Sequence, residues 1–276
     1  PLPPPPPMDV HRKPCTMVRV VVARRDGPRS TAACSALVAA IRGHAVAAGG
    51  VLTPSDDRQG GFSVTWNVGS HEEPNHAERA CGFALALRKS VAALPDEKAL
   101  SAVVCAVATS DAVTCYSLGT STSGTAPSPT ILLHAPALRH ALQCLQDAGQ
   151  RLHRTYARRG ELPMAVTLTD EATAVAARHA FALRGVSAYY VSSAPPPGAA
   201  CGGKPMPLAP LFELVDATPS PKEAACRAVS DALYRGLAGD SRAGLAILDR
   251  AIEVDAALLA LPTVSQLRAN LARAAT

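Results

Sequence analysis

The sequence predicts an α+β fold, in which short strands joined as hairpins are interleaved with amphipathic helices and followed by a helical tail. Three observations carry this. Short β-branched runs such as MVRVVVA at 17–23 alternate with longer runs whose apolar residues recur at helical spacing. Neighbouring strand-like runs are separated by Gly-bearing polar turns, SDDRQGG at 55–61 being the clearest. After Pro221 the strand pattern stops. The resulting order, β-α-β-β-α-β-β followed by α and then β-α-β-β, departs from the strict βαβ alternation of a doubly wound sheet.

Taken in order, residues 1–16 open with PLPPPPP, an extended stretch that cannot pack, and read as a Pro-rich linker. The strand at 17–23 leads through RRDGPRS into an Ala-rich helix at 30–48, with Ser30 or Thr31 as cap and Gly49-Gly50 closing it. VLT and FSVTWNV form a hairpin in which Phe62 and Trp66 pack into the core and Asn67 ends the strand. Residues 75–93 form an amphipathic helix capped by Asn75. Two strands follow at 102–109 and 113–117, the second a pairing partner for the first, and then a Gly/Ser/Thr/Pro loop at 119–130. A helix at 135–149 ends at Gly149, and a strand occupies 164–168. The capping signal T-D-E opens a helix at 169–183, and strands at 186–191 and 211–215 flank the Pro/Gly-rich loop 194–207. Two helices, 222–238 and 242–260, turn around Gly239-Asp240.

Composition narrows the class. The chain has 276 residues, 48% of them hydrophobic and 18% charged, which is core-forming rather than disordered. No apolar run is long enough to span a bilayer, and no secretory signal is visible. The chain starts at Pro1, so it reads as a piece of a longer protein, one free to carry a membrane anchor elsewhere. The net charge of +5 is spread along the chain, and Arg151, Arg154, Arg158 and Arg159 around Tyr156 read as a solvated helix face, so nucleic acid is not an expected partner. Eight cysteines lack paired metal-ligand spacing; Cys81, Cys105 and Cys144 read as small core residues, and the compartment as reducing and cytoplasm-facing.

Five segments, in this order and at this spacing, resemble the catalytic domain of class III nucleotidyl cyclases over residues 17–216. They are VRVVVA followed by a turn with Gly27; the helix closed by Gly49-Gly50 and its hairpin into FSVTWN; NHAERACGFALAL; AVATSDA, where the family has a Gly-Val-x-Thr-Gly strand; and the tail MAVTL, DEATAVAARHAF, VSAYYV, PLFELV. The resemblance implies a ferredoxin-like βαββαβ core with extra strands and helices. After it, residues 217–276 form a helical hairpin in which ALYRGLAGDSRAGLAILDRAIEVD resembles a tetratricopeptide unit. One such unit cannot bury its own apolar face, so it docks on the domain, on a neighbour or on a partner.

The family's reaction is attack of a ribose 3′-hydroxyl on the α-phosphate at a dimer interface, with two Asp holding two metal ions. Alignment on Gly27 puts Arg24 at the first metal position, where a guanidinium cannot coordinate a cation. Asp26 keeps the strand face but displaces the carboxylate by roughly 6–7 Å. Asp57 or Asp56, in the hairpin turn, stands near the second metal position; the alternative is an ordinary polar turn. The positions that stabilise the transition state fall on Arg139 and Gln143, and Gln143 has no charge to offer. The base-reading Lys is missing from Thr53–Ser55, and Ala106, Ser110, Cys115 and Leu118 replace glycines of the strand pair.

Elsewhere no G-x-S-x-G elbow, phosphate loop or His cluster appears; His134, His140 and His153 read as surface residues. The leading expectation is therefore a catalytically inactive cyclase-homology domain serving dimerisation, regulation or scaffolding in a larger signalling protein. Its partners would be a second copy, a cyclase-like chain, or a protein docked on the C-terminal hairpin. No cofactor is expected, with Mg or Mn needed only if it is active. The alternative is an active cyclase making cyclic AMP or GMP with a partner chain; a third reading is a nucleotide or small-molecule sensor without turnover.

Overall fold

The computed structural model describes residues 8–22, 31–54, 61–69, 72–93, 103–118, 130–158, 165–190 and 208–276. In chain order the elements are β1 (Met8–Val22), α1 (Thr31–Ala47), β2 (Val51–Pro54), β3 (Phe62–Trp66), α2 (His76–Ala92), β4 (Val103–Leu118), β5 (Thr130–His134), α3 (Pro136–Arg158), β6 (Ala165–Thr169), α4 (Glu171–Ala177), β7 (Phe181–Tyr190) and β8 (Leu208–Ala217). Three further helices end the chain: α5 (Glu223–Leu237), α6 (Ser241–Val254) and α7 (Pro262–Ala275), with a 3-10 turn at Ala256–Ala260 between the last two.

The strands form one sheet in the order β2-β3-β1-β4-β6-β8-β7, and β5 pairs with the outer half of β4. Every pair is antiparallel except β4–β6. Side chains alternate across it as the pleat requires. Val103, Cys105 and Val107 of β4 enter a core with Leu37 and Ile41 of α1, Phe83 and Leu87 of α2, and Trp66. Ala106 and Ala108, one residue out of phase, enter a second core with Leu138, Leu142, Leu145 and Leu152 of α3. The sheet thus carries α1 and α2 on one face and α3 on the other.

Several expectations change in the folded chain. β1 begins at Met8, so residues 8–16, read as linker, are strand: Met8–Lys13 pair with Val113–Leu118 of β4. The two strands read at 102–109 and 113–117 are one, β4, with a β-bulge opposite Lys13 and Cys15. The bulge reverses side-chain parity, which is why Val113 and Cys115 share the α3 core while Cys105 and Val107 face the other way. α3 runs on past Gly149, because that glycine provides room rather than a stop: a Cβ there would lie 2.5 Å from Val104 Cγ1. The helix expected over 169–183 ends at Ala177, and Phe181–Leu183 belong to β7. Asn75 precedes α2 in a left-handed conformation (φ 59) without a side-chain cap bond.

The C-terminal segment opens with the expected helical pair, α5 and α6, the second ending at Val254 rather than at 260, and adds a 3-10 turn and α7, with a core of its own built on Val229, Leu233, Leu248 and Leu267. Of its possible docking places, α5 takes the sheet. It lies along β7, an edge strand, where Ser230 Oγ accepts the Gly185 N–H at 2.8 Å and approaches the Leu183 carbonyl oxygen at 3.3 Å. The helix thereby occupies backbone groups that an uncovered edge leaves open to another chain.

Candidate functional site

The sheet register sets the strand ends that flank the two segments carrying the expected metal positions side by side. Phe62 of β3 pairs with both Val20 of β1 and Pro54 of β2. Arg24, Asp26, Asp56 and Asp57 themselves lie outside the described residues. Among the described residues no group of three or more His, Cys, Asp or Glu side chains is placed to hold a metal ion. Thr53 is half-buried and donates to the Ser63 carbonyl at 3.3 Å, holding the hairpin.

Arg139 and Gln143 lie one helical turn apart on α3 and are both exposed. With Asp147 and Arg151 they form a solvent-facing stripe opposite the buried Leu138, Leu142 and Leu145. Arg139 turns its guanidinium back to the Leu133 carbonyl oxygen at 3.0 Å, tying the start of α3 to β5. Gln143 Nε2 donates to Asp147 Oδ1 at 3.0 Å. The face therefore presents an amide already spent on a carboxylate, and that carboxylate repels phosphate oxygens. Ala106 and Cys115 are buried in the α3 core, where their side chains fill space that glycine would leave.

A buried polar chain on the opposite face was not singled out by the sequence. Thr16 Oγ1 lies 2.7 Å from His76 Nδ1 and 2.8 Å from Thr109 Oγ1, which lies 2.8 Å from Thr173 Oγ1. Asp170 caps α4, as T-D-E predicted, by accepting from the Thr173 N–H at 3.0 Å. It also accepts the Thr109 N–H at 3.2 Å, locking α4 to β4. Burial pushes the Asp170 carboxyl up to about 6, while hydrogen bonds from Thr173 and Thr109 limit the rise. Burial also lowers the His76 pKa, against Glu73 and Asp111, which favour its charged form. The available signal was that Thr109 follows the apolar run 102–108 and that Asp170 follows the buried strand 165–169, positions where a polar residue stays at the edge of the core. These hydrogen bonds join four elements, β1, α2, β4 and α4.

The remaining residues sort by burial. Cys81 and Cys105 are core thiols, with burial pushing Cys105 up to about 12. Cys144 is only half-buried and packs 3.6 Å from His140 Nε2 at the surface of α3, so it is not the core residue expected. Cys15 and Cys115 sulfurs stand 3.8 Å apart as free thiols. Trp66 is fully buried against Phe83, and its Nε1 donates to the Ala48 carbonyl at 2.9 Å; Asn67 ends the strand with φ 62. Arg151 and Arg154 are solvated as expected, while Tyr156 turns into the core. Among the described residues, no helix is long and apolar enough to cross a membrane.

No family model and no curated protein matches the sequence. Solved structures do. The adenylyl cyclase CyaB of P. aeruginosa superposes with a TM-score of 0.53 at 14% identity, covering 75% of this chain and 96% of that one. The non-canonical dimeric guanylyl cyclase domain of the RhoGC fusion protein from the aquatic fungus Blastocladiella emersonii gives 0.51 at 12% identity, covering 76% and 99%. The guanylate cyclase domain of RhGC from Catenaria anguillulae, in complex with GTP, gives 0.50 at 13%, covering 74% and 97%. The chain therefore has the fold of adenylyl and guanylyl cyclase catalytic domains, followed by additional helices.

Proposed function

We propose that this chain is a cyclase-homology module that forms no cyclic nucleotide and acts by pairing with a second copy or a cyclase-like chain inside a larger signalling protein. The observation that carries this is the exposed stripe on α3. Arg139, at one transition-state position, is bonded to the Leu133 carbonyl, and Gln143, at the other, to Asp147. A phosphoryl transition state gathers negative charge, and its stabilisation needs donors and cations free to meet it. Here a carboxylate stands in that neighbourhood instead. Arg24 in place of a metal-binding Asp supports the same reading. The dimeric state named for the Blastocladiella domain supports pairing as the mode of action. The apolar residues of α5 are buried with those of α6 and α7, and the helix rests on β7, which points away from the C-terminal helices and toward the sheet-bearing part as the pairing surface. The reducing, cytoplasm-facing setting is part of the proposal, in keeping with the free thiols.

The test is incubation of the purified chain, alone and mixed with an active cyclase subunit, with manganese-ATP and manganese-GTP, followed by chromatographic assay for cyclic product and by sedimentation. The expected result is no product from the chain alone and a concentration-dependent dimer or heterodimer. Metal-dependent product from the chain alone refutes the inactive reading. Product gained only in the mixture, and lost on Arg139→Ala, establishes the shared-site cyclase instead.

A further inference from the structure

Between the sheet and the C-terminal helices lies a cavity of about 670 Å³, within the size range of small-molecule sites. Its walls come from both sides of that junction: Arg88 of α2, Arg184 of β7 and Glu213 of β8 from the sheet-bearing part, and Lys222, Asp255 and Leu258 from the helical segment. α3 contributes Tyr156 to its wall, while Arg139 and Gln143 do not line it.

Arg184 is the unusual residue. Its side chain is only 9% exposed, and it is ion-paired with Glu213. Its Nε is buried without a hydrogen-bond partner among the described residues. Buried guanidinium donors are normally all satisfied, and an orphan one carries a desolvation cost. Arg88 is already committed, donating to the Leu214 carbonyl at 2.7 Å and to that of Val215. The Lys222 ammonium, exposed at the rim, forms no ion pair among the described residues. Of the two carboxylates, Glu213 is held by Arg184 and Asp255 accepts the Ala257 N–H at 3.1 Å as cap of the 3-10 turn. Three cationic side chains thus face two carboxylates, one positive charge in excess. The remaining walls include Ala165, Val215, Leu258 and Leu261, which are apolar.

We propose that this cavity binds a small organic monoanion, a carboxylate with an apolar body, its head held by Arg184 and Lys222 and its body on Leu258 and Leu261. Such a ligand touches the sheet and the helical segment together, so its binding stabilises their junction by mass action. This site is separate from the proposed function above and does not depend on it.

The test is calorimetric titration of the full chain with hexanoate and with phenylacetate, using hexanol as the uncharged counterpart, together with thermal unfolding in each. Saturable one-to-one binding at millimolar or tighter affinity is expected for at least one acid, with a rise in Tm and hexanol at least ~10-fold weaker, the factor expected from losing one charge-assisted contact. Arg184→Met should abolish binding but leaves Glu213 buried without its partner. The exposed Lys222→Ala, whose fold is checked by circular dichroism, is therefore the deciding variant and should weaken binding several-fold. No saturable heat with either acid, equal binding of hexanol, or unchanged affinity in Lys222→Ala each overturns the proposal.

Discussion

Replacing Asp170 by Asn tests the buried polar chain through its protons. The carboxyl sits at the α4 N-cap, accepting N–H groups from Thr173 at 3.0 Å and Thr109 at 3.2 Å. Burial raises its pKa from the ordinary 3.8 to about 6. The sign follows from proton binding: between these values the native state holds a proton that the unfolded chain has released. Stability from this group is therefore fully present below the unfolded pKa and is lost as pH rises through the native one. The span corresponds to roughly 3 kcal/mol. Asn keeps an acceptor for the Thr173 N–H but cannot titrate. Denaturant unfolding of both proteins at about pH 4 and about pH 7 isolates the effect, because the other carboxylates cancel in the difference. The native chain should exceed Asp170→Asn in stability by roughly 2–2.5 kcal/mol more at the acidic pH than at the neutral one, since at about pH 4 the unfolded carboxyl is already partly ionised. A difference independent of pH, or one growing toward neutral pH, would refute the burial argument.

Two further substitutions test the packing. Gly185→Ala places a Cβ 2.9 Å from Leu233 Cδ2 and 3.1 Å from Ser230 Cα, a backbone atom that cannot move without α5. The overpacking cost is about 1–3 kcal/mol, read as a lower Tm with increased proteolysis at the α5 junction, and an unchanged Tm would mean that α5 does not rest on this glycine. Trp66→Phe removes the indole N–H from the Ala48 carbonyl and opens a gap beside Phe83, so denaturation followed by circular dichroism should show a loss of about 2–4 kcal/mol.

The local pattern of the chain was largely readable. Helical periodicity placed α1, α2 and α5 to within a residue or two and the start of α6, the hairpin signature around a Gly-bearing turn placed β2 and β3, and T-D-E announced the Asp170 cap, because each of these depends on contacts within a few residues. The order of the segments sufficed for the cyclase-like fold. Elements whose form depends on distant partners were misread. Gly149 has the composition of a helix stop, yet Val104 from β4 makes it a packing position. Residues 8–16 follow polyproline, yet pairing with Thr109, Ser110 and Val113–Leu118 of β4 makes them strand.

The same division runs through the functional residues. Sequence by itself determined the residue types at the positions matched through the resemblance, among them the neutral Gln143 and the cation Arg24. Only the tertiary structure decided that Arg139 turns back to the Leu133 carbonyl of β5, that Asp170 meets Thr109 across 61 residues, and that Arg184 is buried beside Glu213 at the junction with the helical segment. The reason is physical: residue identity sets charge and hydrogen-bonding capacity, but desolvation and the choice of partner are properties of the packed neighbourhood, which chain order does not list.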